Sequence, residues 1–360
     1  MESTFDLLTL ALLRGISPRA TRELLSRGPL ASTLARAGDH ADLLGPRAIE
    51  ALRAGAARRA AEAETIAARR LGVEIVGYDE DRYPQLLRGT CTPPLVLWVK
   101  GTLVPDEGRA SVAVVGSRAA SPLGLAFARR LADELASAGL VVVSGLARGI
   151  DSAAHRGALD ARGRTVAILG SGLDRLYPPE NAALAAQVQA NGAVASEFPL
   201  GTGPFKPNFP RRNRVIAGWV RAVVVVEAGS RSGALSTARA ALDEGRDVMA
   251  VPGHPSEPQA EGANRLLQDG AALVRGAADV LAEFGLAPPH AREVTPDDSV
   301  LRAMARDVPA DVDEIQQRSG LALPALLARL SELELGGAVL RLPGALYVRA
   351  RSGAGYTRPG

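Results

Sequence analysis

The run Phe205-Lys206-Pro207-Asn208-Phe209-Pro210-Arg211-Arg212-Asn213-Arg214 gathers aromatic rings and positive charge into ten residues. The chain has only 6 Phe, yet two fall here and Phe198 lies just upstream, while Lys206 and Lys100 are its lysines. Rings interleaved with cations and stiffened by proline suit unstacked bases on a phosphate backbone. The same ten residues also describe a charged surface loop ahead of a helix.

Three glycine-punctuated turns carry similar chemistry. In Gly116-Ser117-Arg118 the glycine lets a backbone approach, Ser117 can donate to an anion and Arg118 can grip a phosphate. This is not a dinucleotide fingerprint, because the next glycine is Gly124 and no G-x-G-x-x-G occurs. Ser144-Gly145-Leu146-Ala147-Arg148-Gly149-Ile150-Asp151 reads as a strand-to-helix turn whose helix offers open amides and a favourable dipole, with Arg148 adding charge. Gly170-Ser171-Gly172-Leu173-Asp174 leads to Tyr177-Pro178. Any one of them is compatible with an ordinary turn. Further on, Glu227 ends a strand, where it can orient Arg212 or Arg214, and Asn264 can cap the short helix it opens.

Elements that place these turns follow from hydrophobic patterning. Residues 1–70 read as helices only, with Gly15-Ile16-Ser17-Pro18 as a turn of helix-hairpin-helix or sterile-alpha-motif type. From 73 to 285, short apolar runs alternate with helices, the clearest strand being Val223-Val224-Val225-Val226. That alternation predicts an α/β, doubly wound, mostly parallel, Rossmann-like sheet with ligand turns at the carboxyl ends of its strands. The helix after the basic run is expected at Asn213–Trp219. Residues 286–296 read as a Pro-rich linker, 297–350 as three helices and a hairpin in a winged-helix pattern, and 351–360 as a disordered tail.

Bulk composition narrows the class. With 360 residues and 47% hydrophobic content the chain is a folded polypeptide of two or three domains. Its net charge is +3, so clustering of charge says more than the total. Cys91 is the single cysteine and the 4 His are scattered, so neither a disulfide nor a metal is expected. No cofactor is expected either. Residues 1–13 are too short to span a bilayer and carry no basic leader, which predicts cytoplasmic residence and no membrane partner.

Taken in order, VGSR, SGLARGID, GSGLDRLYP, SEFP, FPRRNRVIAG, VVVVEAGSRSGALSTARAAL and VPG resemble the DNA-processing protein A family, also called DprA or Smf, over residues 80–285. The resemblance implies a protein of natural transformation that binds single-stranded DNA, protects incoming strands, binds RecA and loads it. It also implies a homodimer through the Rossmann-like domain, with Ala263–Leu267 and Ala272–Val274 as candidate faces. By the same resemblance Arg118 grips phosphate, Lys206 and Arg212 line the groove from a basic loop, and Phe209 stacks a base. Gly145, Gly149 and Gly170 give backbone approach to phosphates. Gly116, Ser117, Arg148, Arg211 and Asn213 complete the expected DNA-binding set, and no residue is assigned to catalysis.

Two other readings compete. Lysine-decarboxylase-like phosphoribohydrolases share such a sheet, but their Pro-Gly-Gly-x-Gly-Thr run and following catalytic Glu are absent from Ser230–Arg239. Asp151, Asp174 and Glu197 remain as carboxylates for such chemistry. Alternatively the winged helix reads DNA. Its third helix, Pro324 to Leu335, sets Arg329 against Glu332 and Glu334, which favours docking of a partner over base readout.

Overall fold

The computed structural model describes residues 3–13, 15–286, 298–305, 308–335, 338–342 and 346–349. The expected linker beyond Leu286 and the expected tail from Arg351 lie outside them. The chain divides near residue 288 into two units.

The larger unit is organised by a nine-stranded sheet. Its strands are β1 (Glu74–Gly77), β2 (Val96–Gly101), β3 (Ser111–Val115), β4 (Val141–Ser144), β5 (Thr165–Leu169), β6 (Ala193–Ser196), β7 (Ala222–Val225), β8 (Asp247–Ala250) and β9 (Ala272–Leu273). They are ordered β1-β2-β6-β5-β4-β3-β7-β8-β9. The strands from β6 through β9 pair in parallel, whereas β2 runs antiparallel to both β1 and β6. The order therefore reverses at β3, which has β4 on one side and β7 on the other, so a crevice opens at the carboxyl ends of these strands.

Continuous apolar strands are what a sheet covered on both faces requires. Alternate residues of β3 and β7 enter different cores: Ala113, Val115, Val223 and Val225 one, Val112, Val114 and Val224 the other. Five helices precede the sheet: α1 (Thr4–Leu12), α2 (Pro18–Ser26), α3 (Leu30–Ala35), α4 (Pro46–Arg53) and α5 (Ala56–Arg70). Then come α6 (Gln85–Arg88), α7 (Pro122–Ser137), α8 (Ile150–Asp160), α9 (Ala182–Asn191), α10 (Asn208–Trp219), α11 (Ala234–Asp243), α12 (Glu261–Gln268) and α13 (Ala277–Glu283). The first core takes Val215, Ile216 and Trp219 of α10 with Ala238 and Ala241 of α11, and the second takes Leu131 and Leu135 of α7 with Ala154 and Ala158 of α8. Each buried valine or leucine contributes roughly 1.5–3 kcal/mol relative to exposure.

The amino-terminal helices pack onto the same sheet: Leu7, Leu8, Leu24 and Leu30 share a core with Trp98 of β2, Leu169 of β5 and Val194 of β6. Ser17 caps α2 by accepting from Ala20 N at 3.1 Å, with Pro18 opening the helix. That explains serine at the position where a helix-hairpin-helix turn would carry glycine.

The smaller unit contains α14 (Ser299–Ala303), α15 (Val312–Ser319), α16 (Leu323–Leu335) and an antiparallel pair, β10 (Val339–Leu342) and β11 (Leu346–Arg349). Val300, Ile315, Leu326 and Leu330 form its core, and Asp298 caps α14. This is a winged helix. Arg329 of α16 pairs with Asp298 at 2.6 Å and Glu332 at 2.5 Å, which leaves its charge engaged within the unit.

Candidate functional site

A cleft of about 870 Å³ opens where the strand order reverses. Its walls are the turns after β3, β4, β7 and β8 together with the first turns of α10. Helix α10 begins at Asn208, not near Asn213, so the expected basic loop is largely helical. Pro210 is the third residue of that helix, where a missing N–H costs no intrahelical bond. Helical geometry then splits the basic run between faces.

At one end of the cleft Phe209 is half-buried against Gly170, where a Cβ would stand 3.1 Å from the ring. The Arg118 guanidinium lies over the Phe209 ring, 4.8 Å from its centroid, and Tyr177 packs beside it at 6.1 Å and 53°. Arg118 is exposed and pairs with no carboxylate among the described residues. Lys206 is exposed too and makes no ion pair among them. Phe209 therefore holds Arg118 in place as much as it offers a face of its own. Tyr177, which follows the third glycine turn, was named in the sequence but not counted with the site.

Arg212 departs from its expected role. Only 4% exposed, it donates from Nη1 to the Gly145 carbonyl at 2.5 Å and the Ile168 carbonyl at 2.7 Å, and from Nε to Asn213 Oδ1 at 3.1 Å. Asn213 in turn donates to Gly233 O at 3.1 Å and Ser236 Oγ at 2.6 Å. Both side chains rivet α10 to β4, β5 and the start of α11. They hold the floor of the cleft. Burial pulls the Arg212 pKa down and pushes that of Asp151 up. Asp151 accepts from Gly145 N at 3.1 Å and Ala147 N at 3.3 Å, so Gly145 is gripped at both its amide and its carbonyl.

The glycines of these turns are closely packed. A Cβ on Gly145 would stand 1.9 Å from Arg212 Nη1, one on Gly149 2.2 Å from Ser117 O, and one on Gly116 2.6 Å from Ile150 Cγ1. With Gly170 they let the turns press against one another and against Phe209. Gly149 also adopts φ +75 at the start of α8. Ser117 accepts from Ala119 N at 3.1 Å and donates its own amide to Glu227 O at 2.6 Å.

Two arginines fall outside the cleft. Arg148 is exposed and ion-paired to Glu180. Arg211 stacks over Phe198 at 4.9 Å and lines a smaller cavity of about 200 Å³ between α1, α2 and the segment before β2. Glu197, whose pKa burial pushes up, pairs with Arg214 at 2.5 Å and Arg211 at 3.6 Å. It thus orients Arg214, a part expected of Glu227. Glu227 instead accepts from Ser121 N at 2.9 Å and Ser121 Oγ at 2.5 Å. Asn264 lies within α12 and exchanges hydrogen bonds with Gly253 N and O, 3.1 and 2.9 Å, so it ties the Val251-Pro252-Gly253 turn down without capping. Missed by the sequence reading was Arg231, an exposed cation in the turn after β7 that lines the cleft and pairs with no described carboxylate. Its place in the Glu227–Gly233 turn at a strand end was the available signal.

A Rossmann-like sheet with a cationic, aromatic-bearing cleft at its switch point, followed by a winged helix, defines the class. The family model for DNA recombination-mediator protein A matches residues 74–285, and that for the DprA winged helix domain matches 286–345. Protein Smf of Escherichia coli K12 is 41% identical over 291 residues, 77% of each chain. The crystal structure of DNA processing protein A from Streptococcus pneumoniae superposes with a TM-score of 0.70 at 36% identity, covering 79% of this chain and 99% of that one. DNA processing protein A from Helicobacter pylori, described as having a unique single-stranded DNA binding mode, matches with a TM-score of 0.51 at 28% identity, over 56% of this chain and 92% of its own. The chain belongs to the DprA/Smf family of DNA-processing proteins.

Proposed function

We propose that the cleft binds single-stranded DNA, with Arg118, Lys206 and Arg231 on the phosphate backbone and the Arg118–Phe209–Tyr177 stack presented to bases. The observation that carries this reading is the stack itself, a guanidinium laid on a ring with no carboxylate to neutralise it. A planar cation backed by an aromatic face attracts both a phosphate and a base. Little hydrogen-bond readout is offered, so binding is sequence-tolerant. The Helicobacter pylori relative supports the reading through what it binds.

On family grounds we extend the proposal to a role in natural transformation. There the protein works in the cytoplasm as a homodimer, shields incoming strands, and passes them to RecA without itself catalysing a reaction. The winged helix, its one α16 cation engaged with Asp298 and Glu332, serves a partner in this account. The test is a mobility shift with single- and double-stranded oligonucleotides of one sequence. Preference for the single strand, lost in an Arg118→Ala/Lys206→Ala double variant, is expected. Equal affinity for duplex, or release of free base from nucleoside monophosphates, would defeat it.

A further inference from the structure

The glycines expected to face phosphate are packed against protein, whereas Gly233 faces nothing. Its φ of −61 and ψ of −22 are ordinary for any residue, and a Cβ there would meet no atom within 4 Å. Neither conformation nor packing calls for glycine. Gly233 lines the cleft at the start of α11. Its amide and that of Arg231 make no hydrogen bond among the described residues. Thr237, one turn into α11, lines the same cleft and is only 2% exposed, and its hydroxyl makes no hydrogen bond among the described residues. The cleft lining also includes the exposed Arg231, which makes no ion pair among the described residues, together with Gln259 and the exposed Glu261.

We propose that the start of α11 in this cleft is a second phosphate subsite, in which the Gly233 and Arg231 amides, the Thr237 hydroxyl and the Arg231 side chain hold the phosphate group of a nucleotide. A helix amino end supplies open donors and a dipole of the right sign, a hydroxyl adds a neutral donor, and glycine lets the anion come close to the main chain. Glu261 opposes the charge and sets an upper bound on affinity. The site uses donors other than Arg118 and Lys206 and deepens the reading of the cleft as a nucleic-acid groove, on which it rests only where the phosphate belongs to a strand.

The test is calorimetric titration of the full chain with thymidine 5′-monophosphate and with thymidine, alongside oligothymidylates with and without a 5′-phosphate. The monophosphate is expected to bind at least about tenfold more tightly than thymidine. Gly233→Ala and Thr237→Val should each weaken it roughly tenfold, and Glu261→Gln should strengthen it. Gly233→Ala is expected to fold, since its φ and ψ are open to any residue and a Cβ there meets no atom within 4 Å, and thermal denaturation checks this. A preference for the 5′-phosphorylated strand assigns the subsite to a strand end, and equal binding assigns it to internal phosphodiesters, with Gly233→Ala weakening whichever strand binds. Equal affinity for monophosphate and thymidine, or monophosphate and strand affinities both untouched by Gly233→Ala and Thr237→Val, overturns the subsite. Loss of strand binding in Arg118→Ala/Lys206→Ala alone would leave the wider reading standing without it.

Discussion

At the scale of single residues, what matters is which cations are left without a partner. Arg211, Arg212 and Arg214 share one helix with Phe209, but two serve Glu197 and one serves backbone carbonyls. Arg118 and Phe209 form the unit that remains, and their effects on strand affinity should not add. Phe209→Ala should cost roughly 1–3 kcal/mol of single-strand binding. Once Arg118 is already alanine the same change should cost less, as anisotropy titrations of the three variants would show. Full additivity would mean that the ring meets the base without help from the guanidinium. Gly145 makes the complementary case. Gly145→Ala would drive a methyl into the Arg212 guanidinium, and denaturant melts should register a loss of about 1–3 kcal/mol in stability. No sequence pattern reveals whether a glycine is needed by a ligand or by the turn across from it, because that depends on which turns the sheet brings together.

The elements themselves were legible. Every strand from β1 to β9 falls on an apolar run visible in the chain, most clearly the central β3 to β7, which are buried on both faces. Helix α10 was misread at its start because Pro207 and Pro210 look like loop residues, although a first helical turn accepts proline. Helix α8 carries a feature that no pattern shows. His155 is fully buried, with Nδ1 at 2.7 Å from Thr165 Oγ1, whose own hydroxyl donates to Val142 O at 2.7 Å. The ring is therefore the donor in this contact. Burial pushes its pKa down to about 3 from 6.5. The unfolded chain takes up a proton below 6.5 that the fold refuses, so stability is full above that pH and declines through the interval down to about 3. The slope is roughly 1.4 kcal/mol per pH unit. The buried carboxyls Asp151 and Glu197, raised by burial from 3.8 and 4.5, contribute the opposite slope from those values upward. They do so equally in a His155→Asn variant, so the difference between the two stability profiles isolates the histidine. Parallel profiles between pH 4 and 6.5 would mean that the imidazole is protonated in place.

For the whole molecule the division near residue 288 separates the cleft from the winged helix. If Arg118, Lys206 and Arg231 are the groups on phosphate, the logarithm of single-strand affinity should fall with the logarithm of salt at a slope near about −2, since each phosphate neutralised contributes roughly −0.7. Each substitution to alanine should flatten the slope by about that amount. A chain ending after Leu286 should reproduce both affinity and slope, and a collapse of either would move the strand onto the winged helix. The rivets described above, Arg212 to Gly145 and Ile168, Asn213 to Gly233 and Ser236, also bear on how fast a strand is captured. A floor whose hydrogen bonds are already made has nothing to rearrange on encounter. Capture is then timed by diffusion and charge, and the whole cost of becoming ordered falls on the incoming strand.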